Sequence, residues 1–161
     1  MVASCGWQLR SDTQSGIELK NLYVDSELAI HERGPDSILH GFEQRMANLD
    51  IEPSASRSVA QLALIILSER RQENVLSLTS DLFEQQSRLS KTVEYQIWRG
   101  EELVVARDEV STYRDMSEDQ SNAAAKNRET DLIYREINAD LINQILRRLR
   151  RLDLTDNADQ S

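Results

Sequence analysis

Cys5 is the only cysteine in the chain, so no intramolecular disulfide can form. It follows Val2-Ala3-Ser4, one branched apolar residue and two small ones. Small side chains ahead of a lone cysteine suit a lipoprotein signal peptidase, after which the cysteine thiol takes a lipid. A spare thiol near a terminus is the plainer reading, and the residues alone leave both open. The charged and apolar parts of a signal peptide are not among the four residues before Cys5. The expectation is a chain that starts just ahead of the mature protein, with Met1 added for expression.

Other candidates for chemistry are few. His31 and His40 stand nine apart with no companion cysteine, a poor metal-ligand set, and read as ordinary surface or helix-start residues. The glycines are scattered, so no phosphate-cradling loop is expected. No serine sits in a Gly-x-Ser-x-Gly elbow. The carboxylates are spread along the chain without a pattern that pairs two of them. Neither catalysis nor a metal or cofactor is therefore expected. A hydrolase with carboxylates assembled in space is the reading from another class, and only a cleft with perturbed acids would speak for it.

Basic residues offer binding chemistry instead. Arg70-Arg71 reads either as a solvated strand tip or as a clamp for anionic head groups. Lys126 follows Ala123, Ala124 and Ala125, small neighbours that leave its ammonium unobstructed. Arg147, Arg148, Arg150 and Arg151 form a cluster. Complementing a helix C-terminus explains it better than a binding patch does.

Composition sets the frame. The 161 residues fit one domain, and 39% hydrophobic residues supply a modest core. A net charge of −9 argues against nucleic acid as a partner. An anionic ligand would have to meet a local basic patch. The longest apolar run, 62–67, falls well short of the roughly 20 residues a membrane-spanning helix needs. Attachment to a membrane would therefore be through lipid, and stable anchoring takes more than one acyl chain or a second contact. The lack of disulfides is compatible with cytoplasm or periplasm alike.

The elements that must position these residues follow from periodicity. Residues 17–24 read as a strand with a bulge near Lys20-Asn21, because Ile17 and Leu19 are out of phase with Leu22 and Val24. Gly34-Pro35 breaks the chain and Asp36 offers an N-cap. Ile38, Phe42, Met46 and Leu49 mark one face of a helix over 36–48. Residues 52–58 read as a connection. Residues 59–67 fit a buried helix turn or a covered strand, the branched Ile65-Ile66 favouring the strand, with 68–74 as its solvated extension. A turn is expected at 79–81.

Leu89, Val93, Tyr95 and Ile97 alternate with Ser90, Thr92, Glu94 and Gln96, a half-buried strand with Trp98 on the polar face. Trp98 would cover a second small core or dock on a partner. If this strand lay at a sheet edge, its free ladder groups could pair with another chain. Arg99-Gly100-Glu101 turns the chain into a return strand over 103–113. Ser117 and Gln120 suggest a capping box for a long helix ending near Leu152. Its stripe is Ile133, Ile137, Leu141, Ile145 and Leu149, widened by Leu132, Leu146 and Leu152. Glu118 and Asp119 would suit its start, and 155–161 is a polar end. The expected fold is an α/β (α+β) two-layer sandwich, two helices on one face of a roughly four-stranded, largely antiparallel sheet. The expected divisions are an anchor segment with linker (1–16), one domain (17–153) and a polar tail (154–161).

Several pieces, taken in order, resemble the LptE (rare lipoprotein B) lipopolysaccharide-assembly lipoprotein family. The first is Cys5-Gly6-Trp7-Gln8-Leu9-Arg10, and a strand over 17–25 follows. Ser111, Tyr113-Arg114-Asp115, Ala124-Ala125-Lys126-Asn127-Arg128-Glu129 and Asp131-Leu132-Ile133 come next. Glu136 and Gln144-Ile145-Leu146-Arg147-Arg148-Leu149 complete the set. The stretch 68–88 matches least. The resemblance implies a two-helix, four-stranded sandwich, lipid-anchored at Cys5 on the periplasmic side of the outer membrane. Gly6 lacks the aspartate that would retain it in the inner membrane. It further implies a non-enzymatic plug and assembly partner inside an LptD-like outer-membrane β-barrel, one that also binds lipopolysaccharide. Lys126 matches the family's phosphate-contacting basic residue. A second family arginine falls near Ser77-Leu78, where this chain has no cation. Arg70, Arg71 or Arg88 are left as its replacements. A periplasmic interaction module without a glycolipid ligand is the alternative.

Overall fold

The structure, a computed structural model, describes residues 19–28, 36–78, 84–119 and 123–155. Cys5, His31, the 79–81 turn and the segments 1–16 and 156–161 lie outside the described residues. The element order is β1 (Asn21–Ser26), α1 (Ile38–Asn48), β2 (Glu52–Pro53), a 3-10 turn (Arg57–Val59), β3 (Leu62–Leu78), β4 (Glu84–Arg99), β5 (Glu102–Asp119) and α2 (Ala123–Thr155). The sheet runs β2-β1-β3-β4-β5. β1 is parallel to both β2 and β3, while β3–β4 and β4–β5 are antiparallel hairpins.

Both helices lie on one face. α1 contributes Ile38, Phe42 and Met46 to the core, and α2 contributes Ile137, Leu141, Ile145 and Leu149. They meet Leu22 of β1, Leu62, Leu64 and Ile66 of β3, and Leu89, Val93, Tyr95 and Ile97 of β4. The spacings of about four in the helices and of two in the strands are what a shared apolar layer requires. The two-layer α+β sandwich is as expected, but the sheet has five strands and is mixed.

The differences have local causes. β2 is a two-residue strand inside what the sequence offers as a connection; Glu52 N–H reaches Lys20 C=O at 2.8 Å and Ser54 N–H reaches Leu22 C=O at 3.1 Å. β1 shows no bulge: its register from Leu22↔Leu62 to Ser26↔Ile66 is unbroken, and Leu19 is buried ahead of the strand. The N-cap of α1 is Ser37, not Asp36; its hydroxyl accepts the His40 N–H at 3.4 Å. The solvated extension 68–74 remains strand, and β3 continues through Val75 to Leu78 because β4 pairs with it throughout.

β5 runs to Asp119 because β4 offers partners that far, so Ser117, Glu118 and Asp119 are strand residues rather than a helix start. α2 begins at Ala123 and extends to Thr155, past the expected Leu152. Leu132 is exposed and does not widen the core stripe. β4 is an interior strand with partners on both sides, so the edge-pairing role considered for it does not hold. Gly100, at φ +55°, makes the β4–β5 turn in a conformation that side chains disfavour.

The long outer strand β5 is guarded by side chains. Glu109 N–H donates to Asp108 Oδ1 at 2.9 Å, and Glu109 C=O accepts from Arg148 at 3.3 Å. Tyr113 C=O accepts from Arg114 at 2.9 Å. Ladder groups satisfied in this way are poor templates for another strand.

Candidate functional site

β3 outruns α1, which starts beside Glu69 where Ile38 N–H donates to Glu69 Oε1 at 3.0 Å. Beyond that point the helix-facing side of β3 is exposed from Arg71 to Val75. Arg71, Glu73 and Val75 project there, in phase with buried Leu64 and Ile66 once the bulge after Ile66 is counted. The start of α2 borders this strip. Lys126 Nζ lies 3.3 Å from Glu73 Oε1, and the Arg71 guanidinium lies 4.7 Å from the centre of the Tyr134 ring. Tyr134 O–H donates to Gln72 C=O at 3.5 Å, and burial raises its pKa while Arg71 acts against the rise. Two cations, Arg71 and Lys126, therefore sit at one end of the molecule with a carboxylate between them.

Arg70 and Arg88 project from the opposite, helix-free face. Arg70 lies 3.9 Å from Glu94, which also accepts from Ser68 at 3.1 Å and Arg107 at 2.7 Å. The Ser68 hydrogen bond is the chief reason that the Glu94 carboxyl is held low. Arg88 grips Asp115 with two hydrogen bonds, 2.7 and 2.9 Å, and stacks 4.1 Å from the Tyr113 ring. Those bonds hold Asp115 below the usual carboxylate range. Of the four basic residues marked in the sequence, the fold groups Lys126 with Arg71 and puts Arg70 and Arg88 on the other surface.

A polar cluster that no motif in the sequence marks lies beneath α1 and α2. Lys91 is completely buried. Its Nζ meets Glu69 Oε2 at 2.6 Å, Asn138 Oδ1 at 2.7 Å and Asp36 C=O at 3.5 Å. Asn138 Nδ2 and an Arg71 N–H each donate to the same Asp36 carbonyl at 2.9 Å. Burial lowers the Lys91 pKa, and the Glu69 charge opposes this. The signal was available: Lys91 is in phase with Leu89 and Val93. Above this cluster a groove of about 520 Å³ separates the helices, with His40, Gln44 and Arg45 on one wall and Asp131 and Arg135 on the other. His40 is exposed and hydrogen-bonds Gln44 at 3.1 Å, in keeping with an ordinary surface histidine.

Arg148 departs from the rest of its cluster. It bonds Asp108, and it donates to Tyr95 Oη at 3.0 Å, clamping α2 onto β4 and β5. Burial favours a neutral Asp108, but hydrogen bonds from Arg148 and Tyr95 prevail and hold its pKa low. No group of three or more metal-binding side chains occurs among the described residues. No helix among them is long and apolar enough to cross a membrane.

The model of the lipopolysaccharide-assembly family LptE matches residues 8–149. None of the curated protein sequences matches the chain. Among solved structures, rare lipoprotein B from Shewanella oneidensis superposes with a TM-score of 0.69 at 17% identity, over 86% of this chain and 99% of that one. The uncharacterized lipoprotein B from Nitrosomonas europaea gives 0.67 at 16% identity, over 91% and 92%. A minor lipoprotein from Acinetobacter baumannii gives 0.63 at 17%, over 83% and 92%. At these identities the structures speak for the fold.

Proposed function

The chain belongs to the LptE lipopolysaccharide-assembly family, and from that premise we propose that it is a lipid-anchored outer-membrane lipoprotein that binds lipopolysaccharide and plugs an LptD-like β-barrel translocon. Residues 1–16 would carry the anchor at Cys5, with the domain over 17–153 and a tail over 154–161. The role is one of binding and assembly rather than catalysis. The family match over most of the chain carries this reading.

The head-group site we propose is the strip where Lys126 and Arg71 flank Glu73. A phosphate is dianionic or nearly so and accepts hydrogen bonds on every oxygen, so it can draw Lys126 away from a partly exposed carboxylate. The stack on Tyr134 and the hydrogen bond to the Asp36 carbonyl hold Arg71 beside the same strip. Arg70 and Arg88 would supply a second basic surface on the helix-free face. The net charge of −9 does not exclude such a site, because distant charges are screened and Arg71 and Lys126 outnumber Glu73 within the strip.

The test is lipopolysaccharide binding by Lys126→Asp and Arg71→Asp, with Arg88→Asp for comparison. Loss of binding in both is the expected result, and in Lys126→Asp it should come at unchanged melting temperature. Unaltered binding in Lys126→Asp removes this site. Co-purification from outer membranes tests the rest: a β-barrel protein should come down with the full chain. A chain that binds barrel but no glycolipid would be the interaction module without a ligand.

A further inference from the structure

Two exposed apolar side chains stand near the end where β1 begins. Val59 is 68% and Leu103 41% exposed. Leu103 pairs with Trp98 across the β4–β5 ladder, on the helix-free face. Arg57, two residues before Val59, places its guanidinium 4.2 Å from the centre of the Trp98 ring and 3.2 Å from Glu101. The Arg57 side chain thus reaches the Trp98–Leu103 pair at one corner of the sheet, and Val59 follows Arg57 in the same 3-10 turn.

Trp98 carries an anomaly. Its indole N–H is buried and has no acceptor among the described residues. A buried donor without a partner is uncommon and calls for a reason. The Arg57 that covers the ring is held by an ion pair whose Glu101 partner is largely exposed, and such pairs exchange at little cost. The chain also enters the domain at this end: Lys20 N–H donates to Gln61 Oε1 at 3.1 Å, next to the start of β3. Cys5 lies fourteen positions before Leu19, a reach of roughly 50 Å when fully extended.

We propose that this corner is a membrane-contact surface. It rests on the reading of Cys5 as the lipid anchor and adds a second contact to it. Val59 and Leu103 enter the interfacial layer, and Arg57 exchanges Glu101 for a head-group phosphate. Trp98 then gains an ester or phosphate oxygen for its N–H, in the amphipathic setting where tryptophan is favoured. A lipid anchor supplies the high local concentration that makes so small a patch sufficient.

The experiment uses the full chain with Trp7→Phe, which leaves Trp98 as the sole tryptophan. Lipidated protein is placed in phosphatidylethanolamine–phosphatidylglycerol vesicles with brominated or ordinary acyl chains. Bromine should quench Trp98, and Val59→Asp with Leu103→Asp should reduce that quenching about twofold or more. Circular dichroism and melting temperature check the fold of the double variant, with Val59→Ser and Leu103→Ser as a milder pair. No quenching in protein that floats with vesicles, its Cys5 lipid verified by mass spectrometry, overturns the contact and leaves the anchor standing. Quenching that the double variant leaves unchanged also overturns it. If the double variant instead loses a co-purifying β-barrel, the corner is a protein interface and the proposal fails. An unlipidated Cys5 ends the anchor reading and this proposal with it.

Discussion

Lys91 Nζ and Glu69 Oε2 lie 2.6 Å apart, with Lys91 wholly removed from water. The pair joins the two central strands, and through Asn138 and the Asp36 carbonyl it also joins both helices. A buried charge is tolerated only when its partner is in place, so the two residues stand or fall together.

Lys91→Ala should therefore lose about 3–5 kcal/mol, because it strands the Glu69 charge. Lys91→Met with Glu69→Gln removes both charges and keeps an acceptor for the Ile38 N–H. That double variant should lie within about 1–2 kcal/mol of the parent. Urea unfolding of the three proteins decides the matter. A double variant no better than Lys91→Ala would mean that the pair contributes little through its charges.

Tyr95 gives a signature at high pH. Burial is the main reason its hydroxyl is pushed up to about 12, above the ordinary value of 10.0. A folded-state pKa above the unfolded one means that the native state holds the proton longer. The contribution is complete below pH 10.0 and is lost as pH rises through about 12, about 2–3 kcal/mol in all. Stability measured between pH 9 and 12 should fall less steeply in Tyr95→Phe. Equal slopes would place the titrating group elsewhere.

Gly41 faces Ile142 where the two helices touch. A Cβ added at Gly41 would stand 2.7 Å from Ile142 Cδ1. Alanine favours a helix over glycine by about 1 kcal/mol, but overpacking a core costs about as much or more. Gly41→Ala alone should be neutral to mildly destabilising. In an Ile142→Val background, which lacks the opposing methyl, the same change should stabilise by about 0.5–1 kcal/mol. A thermal-melt double-mutant cycle reads the difference.

Much of the fold was legible in single segments. Ile38, Phe42 and Met46, spaced by four, and Ile137, Leu141 and Ile145 likewise, could satisfy only a helix with one buried stripe. The alternation ending at Ile97, followed by Gly100, could satisfy only a strand and a tight turn. What stayed hidden depended on partners. Ser117 looks like a helix cap in isolation, yet β4 holds that segment as strand; local propensity yields to available ladder partners. β2 exists because β1 offered an open edge at Lys20 and Leu22, which nothing in Glu52-Pro53 announces.

The candidate site divides in the same way. Residue types set the supply of chemistry: one cysteine, no metal-ligand pattern, a few cations in an acidic chain, and an order of short motifs that marks the family. Which cations meet follows from packing. Arg70 and Arg71 are neighbours in the chain, but the strand's two-residue period sends them to opposite faces. Arg71 reaches Tyr134 and Asp36, whereas Arg70 reaches Glu94. Lys91 became a buried partner of Glu69, and Arg148 a clamp on Asp108, for the same reason. A side chain's charge is written in its residue type, but its partner is set by which strands and helices pack against it.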